Sequence, residues 1–237
     1  NDSNSQFGSY NNWAVSGGYR LAPALRAVAS VGSSFQAPSF NQLYFPGFGN
    51  TALLPQLNRA TELGLKYQQG TLAWSALVYQ NDIQGFIVPV TNAQSALGVL
   101  RGLTLSADLQ SGGTHYTVSY DYADPRSYSS TPASNDLRLV RVAQNVVNAR
   151  ISHRMGAYSV FGELKLSSDL EDNKVGSTTL RESLPGYALL NVGGSWKVHK
   201  NASLLVRINN LTDTAYMLAN GYSMPGRNLF VSVNWAL

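Results

Sequence analysis

Tyr116-Thr117-Val118-Ser119-Tyr120-Asp121-Tyr122 alternates apolar and polar residues without a break. Successive side chains of a β-strand point to opposite faces, so Tyr116, Val118, Tyr120 and Tyr122 share one face and Thr117, Ser119 and Asp121 the other. Leu103, Leu105, Ala107 and Leu109 alternate the same way with Thr104, Ser106 and Asp108. So do Leu204, Val206 and Ile208 against Ser203, Arg207 and Asn209, and Leu229, Val231, Val233, Trp235 and Leu237 against Ser232, Asn234 and Ala236. A helix would need apolar residues at period 3.6, and no amphipathic helix of useful length is visible.

Extended outward, the pattern predicts eleven strands, near 8–22, 25–36, 58–68, 71–87, 98–110, 114–124, 138–154, 158–168, 187–198, 202–212 and 227–237. Their connections alternate strictly. Five are short: Ala22-Pro23-Ala24, Gln69-Gly70, Ser111-Gly112-Gly113, Met155-Gly156-Ala157 and His199-Lys200-Asn201. Five are long: 37–57, 88–97, 125–137, 169–186 and 213–226. A β-sandwich mixes turn lengths at both ends. Tight turns at one end and long loops at the other are the habit of an outer-membrane barrel, whose strands need about 9–11 residues to cross.

Composition supports two environments rather than one. Only 13% of the 237 residues are charged, against about 25% in a soluble domain, yet mean hydropathy is just -0.12. Side chains that alternate between lipid and water produce that pairing. No stretch approaches the ~18 apolar residues of a membrane helix. Zero Cys excludes a disulfide scaffold, and 44% hydrophobic content with a net charge of +4 excludes disorder. No basic run accompanies the pI of 9.3, so nucleic acid is not an expected partner.

Bacterial single-chain barrels have even strand numbers, so eleven predicts part of a larger barrel. With a short first turn, the polar start Asn1–Gln6 lies on the long-loop side and the last strand ends at the short-turn rim. Eleven is half of the roughly 22 strands of the plugged outer-membrane transporters. Alone, such a piece is expected to leave an unpaired edge on its first and last strands and to be unstable in a bilayer.

Several motifs resemble TonB-dependent outer-membrane receptors of Gram-negative bacteria. They are Phe35-Gln36-Ala37-Pro38-Ser39-Phe40-Asn41-Gln42-Leu43-Tyr44, Gly49-Asn50-Thr51-Ala52-Leu53-Leu54-Pro55 and Glu62-Leu63-Gly64. Tyr79-Gln80-Asn81-Asp82-Ile83, Leu184-Pro185-Gly186-Tyr187, Asn209-Asn210-Leu211-Thr212-Asp213 and Pro225-Gly226-Arg227 follow in the family's order. Within the family the likeness is strongest to the cobalamin transporters, through Asn4–Gly8, Thr114–Tyr122 and Arg141-Val142-Ala143-Gln144. The resemblance implies an all-β antiparallel transmembrane barrel, with residues 1–237 as its C-terminal part and the N-terminal plug not among them. It implies active import of cobalamin, with a ferric siderophore as the alternative ligand and a diffusive porin as a more distant reading. It also implies TonB as a partner through the plug, contact with outer-membrane lipid and the barrel-assembly machinery, no resident cofactor and no catalysis.

The chain departs from the family pattern at three places. Arg101-Gly102-Leu103-Thr104 stands where the family has Gly-x-Glu after an Arg, Thr212 replaces a Phe, and the terminal Phe is Leu237. The last of these bears on assembly efficiency.

Carried over residue by residue, the resemblance marks Arg141 and Tyr222 as ligand-facing. The long-loop aromatics Tyr44, Phe45 and Phe48 could stack on a bulky ligand. An Arg offers planar hydrogen bonding to amide or anionic groups; a loop ion pair is the alternative for Arg141. His115, His153 and His199 sit beside short turns, far from the loops and without zinc-ligand spacing. Asp169, Glu171, Asp172 and Asn173 could hold calcium, but they lack an EF-hand's Gly and Glu, and a solvated loop is the preferred reading. Glu62, Lys66, Asp121, Arg150, Glu163, Lys165 and Arg207 fall on polar strand faces, to pair with each other, with the plug or with water.

Overall fold

The computed structural model describes residues 2–88, 92–129, 135–177 and 180–235. Eleven strands run as one antiparallel meander: β1 (Ala14–Ala22), β2 (Leu25–Gln36), β3 (Gln56–Gln69), β4 (Leu72–Gln84), β5 (Leu97–Ser111), β6 (Thr114–Tyr128), β7 (Asn145–Met155), β8 (Tyr158–Ser167), β9 (Tyr187–His199), β10 (Ala202–Asn209) and β11 (Asn228–Trp235). Each pairs with its neighbours in sequence, and Leu137–Arg138 adds a short pairing beside the upper end of β6. The sheet does not close among the described residues: β1 and β11 are its two edges. The tight turns take the left-handed backbone at Gly70, Gly112 and Gly156, where a Cβ would be strained.

Register separates the two faces. Trp74, Ala107, Val118, Ala149, Leu164 and Leu190 stand opposite one another across six strands. One position along, Ser75, Ser106, Ser119, Asn148 and Lys165 form the matching polar row. The apolar face remains open, with Val118 45% and Val160 47% exposed. So continuous an apolar surface is not tolerated in water, and in a bilayer it is the lipid contact. Near the short turns it carries stacked aromatics, Tyr67 on Trp74 and Tyr158 on Trp196, at 5.5 and 5.7 Å between centroids. Rings with a polar tip suit that boundary between hydrocarbon and headgroup.

The few buried apolar side chains are not in the wall. Among the described residues, Leu43, Leu53, Phe86, Ile87, Leu139, Val140, Leu170 and Leu184 all lie in the long-loop layer, and only Ala202 is elsewhere. The wall needs no second protein layer on its lipid face, so this layer holds the protein-packed core.

Some expected boundaries move. The first strand begins at Ala14, because Gly8–Tyr10 turns back to pair with Asp2–Asn4. The fourth ends at Gln84, and Ile87–Val88 joins a separate hairpin with Ala93–Gln94. The seventh starts at Asn145 rather than 138, because Arg141 adopts a left-handed backbone with φ 64° that breaks the extended run. Residues 236–237 of the last predicted strand lie outside the described residues. One short helix, α1 (Phe40–Tyr44), stands in the first long loop where none was expected. It forms because Ser39 and Gln42 make a reciprocal capping box: Gln42 N–H donates to Ser39 Oγ at 3.3 Å and Ser39 N–H to Gln42 Oε1 at 2.8 Å.

Candidate ligand site in the long loops

The long loops gather into two tied groups. In the first, Leu43 on α1, Leu53 and Ile87 pack together with Phe7 against them. Asn92, buried and with φ 53°, donates its Nδ2 to the carbonyls of Gln42 and Phe48 at 2.7 and 2.9 Å. Gln94 clasps the chain three times. Its Nε2 donates to the carbonyls of Leu54 and Gly85, both at 2.7 Å, and its Oε1 accepts from Leu54 N–H at 3.1 Å. Local backbone donors and acceptors that no sheet could satisfy are thus met by two side-chain amides.

The second group centres on Asp172, which is 0% exposed. Its carboxylate accepts from Arg141 Nε at 3.1 Å to each oxygen, from Asn173 N–H at 2.8 Å and from Asn220 N–H at 2.7 Å. Asn220 Nδ2 then reaches Glu182 at 2.8 Å. One carboxylate therefore joins the loops after β6, β8 and β10. Burial pushes the Asp172 carboxyl up, but the two backbone N–H groups and the Arg141 guanidinium outweigh it and hold it below the usual carboxylate range. The solvated loop expected for Asp169–Asn173 is corrected here: Asp172 and Asn173 are buried, and their hydrophobic neighbours Leu170 and Leu184 pair across the hairpin. Among the described residues no group of three His, Cys, Asp or Glu side chains is placed to hold a metal ion.

The four residues expected to face a ligand fall on both groups. Arg141 and Tyr222 are brought onto the same linked loops, Arg141 through Asp172 and Tyr222 two residues beyond Asn220, 71% exposed. Tyr44 and Phe48 are exposed on the first group, where Tyr44 tilts against Phe40 at 5.1 Å between centroids and its hydroxyl reaches Gln6 Oε1 at 3.4 Å. Three residues central to these ties, Asn92, Gln94 and Asn220, carried no sequence signal, since a buried amide looks like any loop amide. Asp172 had one: it alternates with Leu170 in a short strand-like run.

At the opposite end the histidines are occupied by neighbours. His115 Nε2 meets Asp108 at 2.6 Å, His153 Nδ1 meets the Thr114 hydroxyl at 2.7 Å, and His199 stacks on Trp235 at 6.2 Å. On the polar face Glu163 is gripped by both Arg150 and Arg207, and Asp121 accepts from the Thr104 hydroxyl at 2.9 Å.

A long-stranded meander with an apolar outer face, a polar inner face, tight turns at one end and tied loops at the other is an outer-membrane barrel wall. The chain belongs to the TonB dependent receptor-like β-barrel family, whose model matches residues 1–211. That family consists of transport receptors, not enzymes, and sits in the Gram-negative outer membrane. Among curated relatives, vitamin B12 transporter BtuB of Photobacterium profundum is 26% identical over 245 residues, covering 99% of this chain and 39% of that protein. The BtuB of Vibrio vulnificus is 27% identical over 249 residues, covering 99% and 38%. The chain thus spans about two fifths of the relatives' length. A ferric enterobactin receptor (PfeA) mutant from Pseudomonas aeruginosa has the same fold, with a TM-score of 0.78, 18% identity, and 98% of this chain and 41% of that chain covered. The siderophore receptor PirA from Acinetobacter baumannii superposes equally, at 0.78 with 16% identity and coverage of 98% and 41%.

Proposed function

We propose that this chain is the C-terminal part of the barrel of a TonB-dependent receptor that imports cobalamin, and that its long loops form part of the cobalamin site. The observation that carries the reading is the sequence likeness to two proteins named vitamin B12 transporters along 99% of the chain, loops included. Loop charge supports it. Arg141 is balanced by Asp172, Arg101 and Arg126 by Asp124 and Asp136, and Arg181 by Glu171. A large ligand rich in amides and poor in net charge suits balanced loops, whereas a multiply anionic iron chelate is drawn to an uncompensated positive field. In this reading Arg141 donates to ligand amide oxygens, and Tyr222, Tyr44 and Phe48 supply flat apolar contact. A plug carried by the rest of the protein fills the lumen and couples uptake to TonB.

The second reading, a ferric siderophore receptor, draws on the fold shared with PfeA and PirA. Uptake by cells carrying the full-length gene separates the two. Labelled cobalamin is imported and ferric siderophore is not; the opposite pattern overturns the assignment. Conductance without any plug would replace both readings by a porin.

A further inference from the structure

The apolar band on the outer face of the wall stops at one level near the long loops. Its alternate residues run from Leu72 to Val78 on β4, from Leu109 to Leu103 on β5 and from Tyr116 to Tyr122 on β6. The next outward residues are Gln80, Arg101 and Asp124, which stand opposite one another. The register is unbroken through this level, so these side chains share the lipid face and not the lumen. On β6 the positions that bracket the band, Thr114 and Asp124, are about 33 Å apart by strand rise, or about 25 Å across the bilayer at a strand tilt of ~40°. Asp124 therefore stands at the headgroup level on the long-loop side.

Three guanidiniums gather there. Arg101 Nε and Nη2 donate to Asp124 Oδ2 at 3.2 and 2.9 Å, and Arg126 Nε donates to Asp124 Oδ1 at 2.8 Å. Asp136 lies 3.6 Å from Arg126 Nη1. Arg138 stands directly opposite Arg126, and like charges so placed repel. Arg138 enters no ion pair among the described residues, and its carbonyl is held by Arg181, itself paired with Glu171. Asp82, the further carboxylate of this face, stands opposite Arg59 and accepts from Gln80 at 3.0 Å. Two carboxylates thus offset two of the three guanidiniums. Residues 130–134, between Arg126 and Arg138 in sequence, include no acidic residue. Strands β3 to β6 all have both sheet neighbours within this chain, so no missing strand supplies the counter-charge.

We propose that Arg101, Arg126 and Arg138 form a docking site on the outside of the barrel for the phosphate of an outer-leaflet lipid head group. Place selects that occupant. The lipid whose chains cover Leu103 and Tyr122 presents its head group at this level, and phosphate is the headgroup anion that guanidiniums bind through paired N–H donors. A free anion has no reason to choose the lipid face. Asp124 acts as the organiser: buried itself, it fixes the planes of Arg101 and Arg126, while the Arg101 side chain stays 55% exposed with Nη1 uncommitted. An anion between Arg126 and Arg138 relieves their repulsion. The site is local, since beyond β6 the band ends on uncharged Asn145 and Ser168. The inference does not depend on which ligand is imported.

The test uses the full-length protein in detergent, with folding checked by heat-dependent gel mobility. Native mass spectrometry compares binding of bisphosphorylated lipid A with binding of the same lipid after its phosphates are removed. The wild type should prefer the phosphorylated form, and Arg126→Gln with Arg138→Gln should weaken its binding about tenfold, the scale of two cations at an anionic membrane surface. The dephosphorylated lipid should bind wild type and variant alike. Lys165→Gln, on the polar face of the same wall, should keep the wild-type preference. If the double variant does not fold, Arg138→Gln alone breaks no ion pair and should give a smaller loss in the same direction. Equal binding of bisphosphorylated lipid A by the wild type and the folded variants overturns the proposal. So does its displacement by excess inorganic phosphate, which would make the cluster a site for the free anion.

Discussion

Arg141 Nε donates to both carboxylate oxygens of Asp172 at 3.1 Å, and the same carboxylate takes the backbone N–H of Asn220 at 2.7 Å. An arginine on one loop and the approach to Tyr222 on another are therefore set by a single buried charge. Arg141 is 44% exposed and can turn to water, so removing Asp172 costs chiefly the acceptor of the Asn173 and Asn220 N–H groups, about 1–3 kcal/mol. Asp172→Ala should make loops 168–186 and 213–226 protease-sensitive in the full-length protein while the wall keeps its heat-dependent gel mobility. Loops as resistant as wild type would contradict the role of Asp172.

The pH response of this tie has a definite sign. The folded carboxyl is held below its ordinary value, so the tie's contribution is complete above the unfolded value. It fades only as pH falls through the lower, folded value. Amide exchange at Asn220, corrected for its intrinsic pH dependence, should therefore stay equally protected from neutral to mildly acidic pH and lose protection only in strong acid. Deprotection near neutrality would contradict the assignment.

Ligand contact and loop support are separable. Arg141→Ala and Tyr222→Ala should each weaken cobalamin binding by about 1–2 kcal/mol, in the range of interface anchors. Tyr222→Ala should leave the loops protease-resistant, since its ring is 71% exposed. Equilibrium binding and proteolysis on the same samples check both statements, and normal cobalamin uptake by the double variant would remove both residues from the site.

Asn92 holds the first loop group by donating to the carbonyls of Gln42 and Phe48. Asn92→Leu takes the donor from the Phe48 carbonyl, leaves the Gln42 carbonyl only the Asn50 N–H and puts a branched side chain at φ 53°. The expected local cost is about 1–3 kcal/mol. It should be read as faster hydrogen exchange at Asn50, whose N–H bonds to the Gln42 carbonyl, and at Leu43, whose N–H bonds to the Ser39 carbonyl at the start of α1. Unchanged exchange would show that Leu43, Leu53 and Ile87 suffice.

Gly102 faces Tyr79 across the β4–β5 pairing, and a Cβ there would fall 2.6 Å from the Tyr79 hydroxyl. Gly102→Val should destabilise the wall by about 1–3 kcal/mol through overpacking. Reduced heat-resistant gel mobility measures it; an unaltered melting point would mean that the strand shifts freely.

The wall was legible in the sequence because lipid on one face and water on the other impose alternation that a single chain displays directly. Tyr116–Tyr122 is enough to assign both faces. The tight turns were legible for the same reason, since Gly70, Gly112 and Gly156 mark left-handed positions. The loop layer was not. Its order comes from contacts between distant segments, such as Asp172 with Asn220 and Asn92 with Phe48, which leave no period in the chain. Arg141 illustrates the difference. The ligand-facing role proposed for it rests on family likeness and its ion-pair partner came from neither likeness nor pattern, while its left-handed backbone cut short a strand that hydropathy alone extended to residue 138.

The most direct test is equilibrium binding of cyanocobalamin to the purified full-length protein, with a ferric siderophore as competitor. The proposed function predicts saturable cobalamin binding that the siderophore does not displace and that Arg141→Ala weakens. Saturable siderophore binding with no cobalamin binding would contradict it.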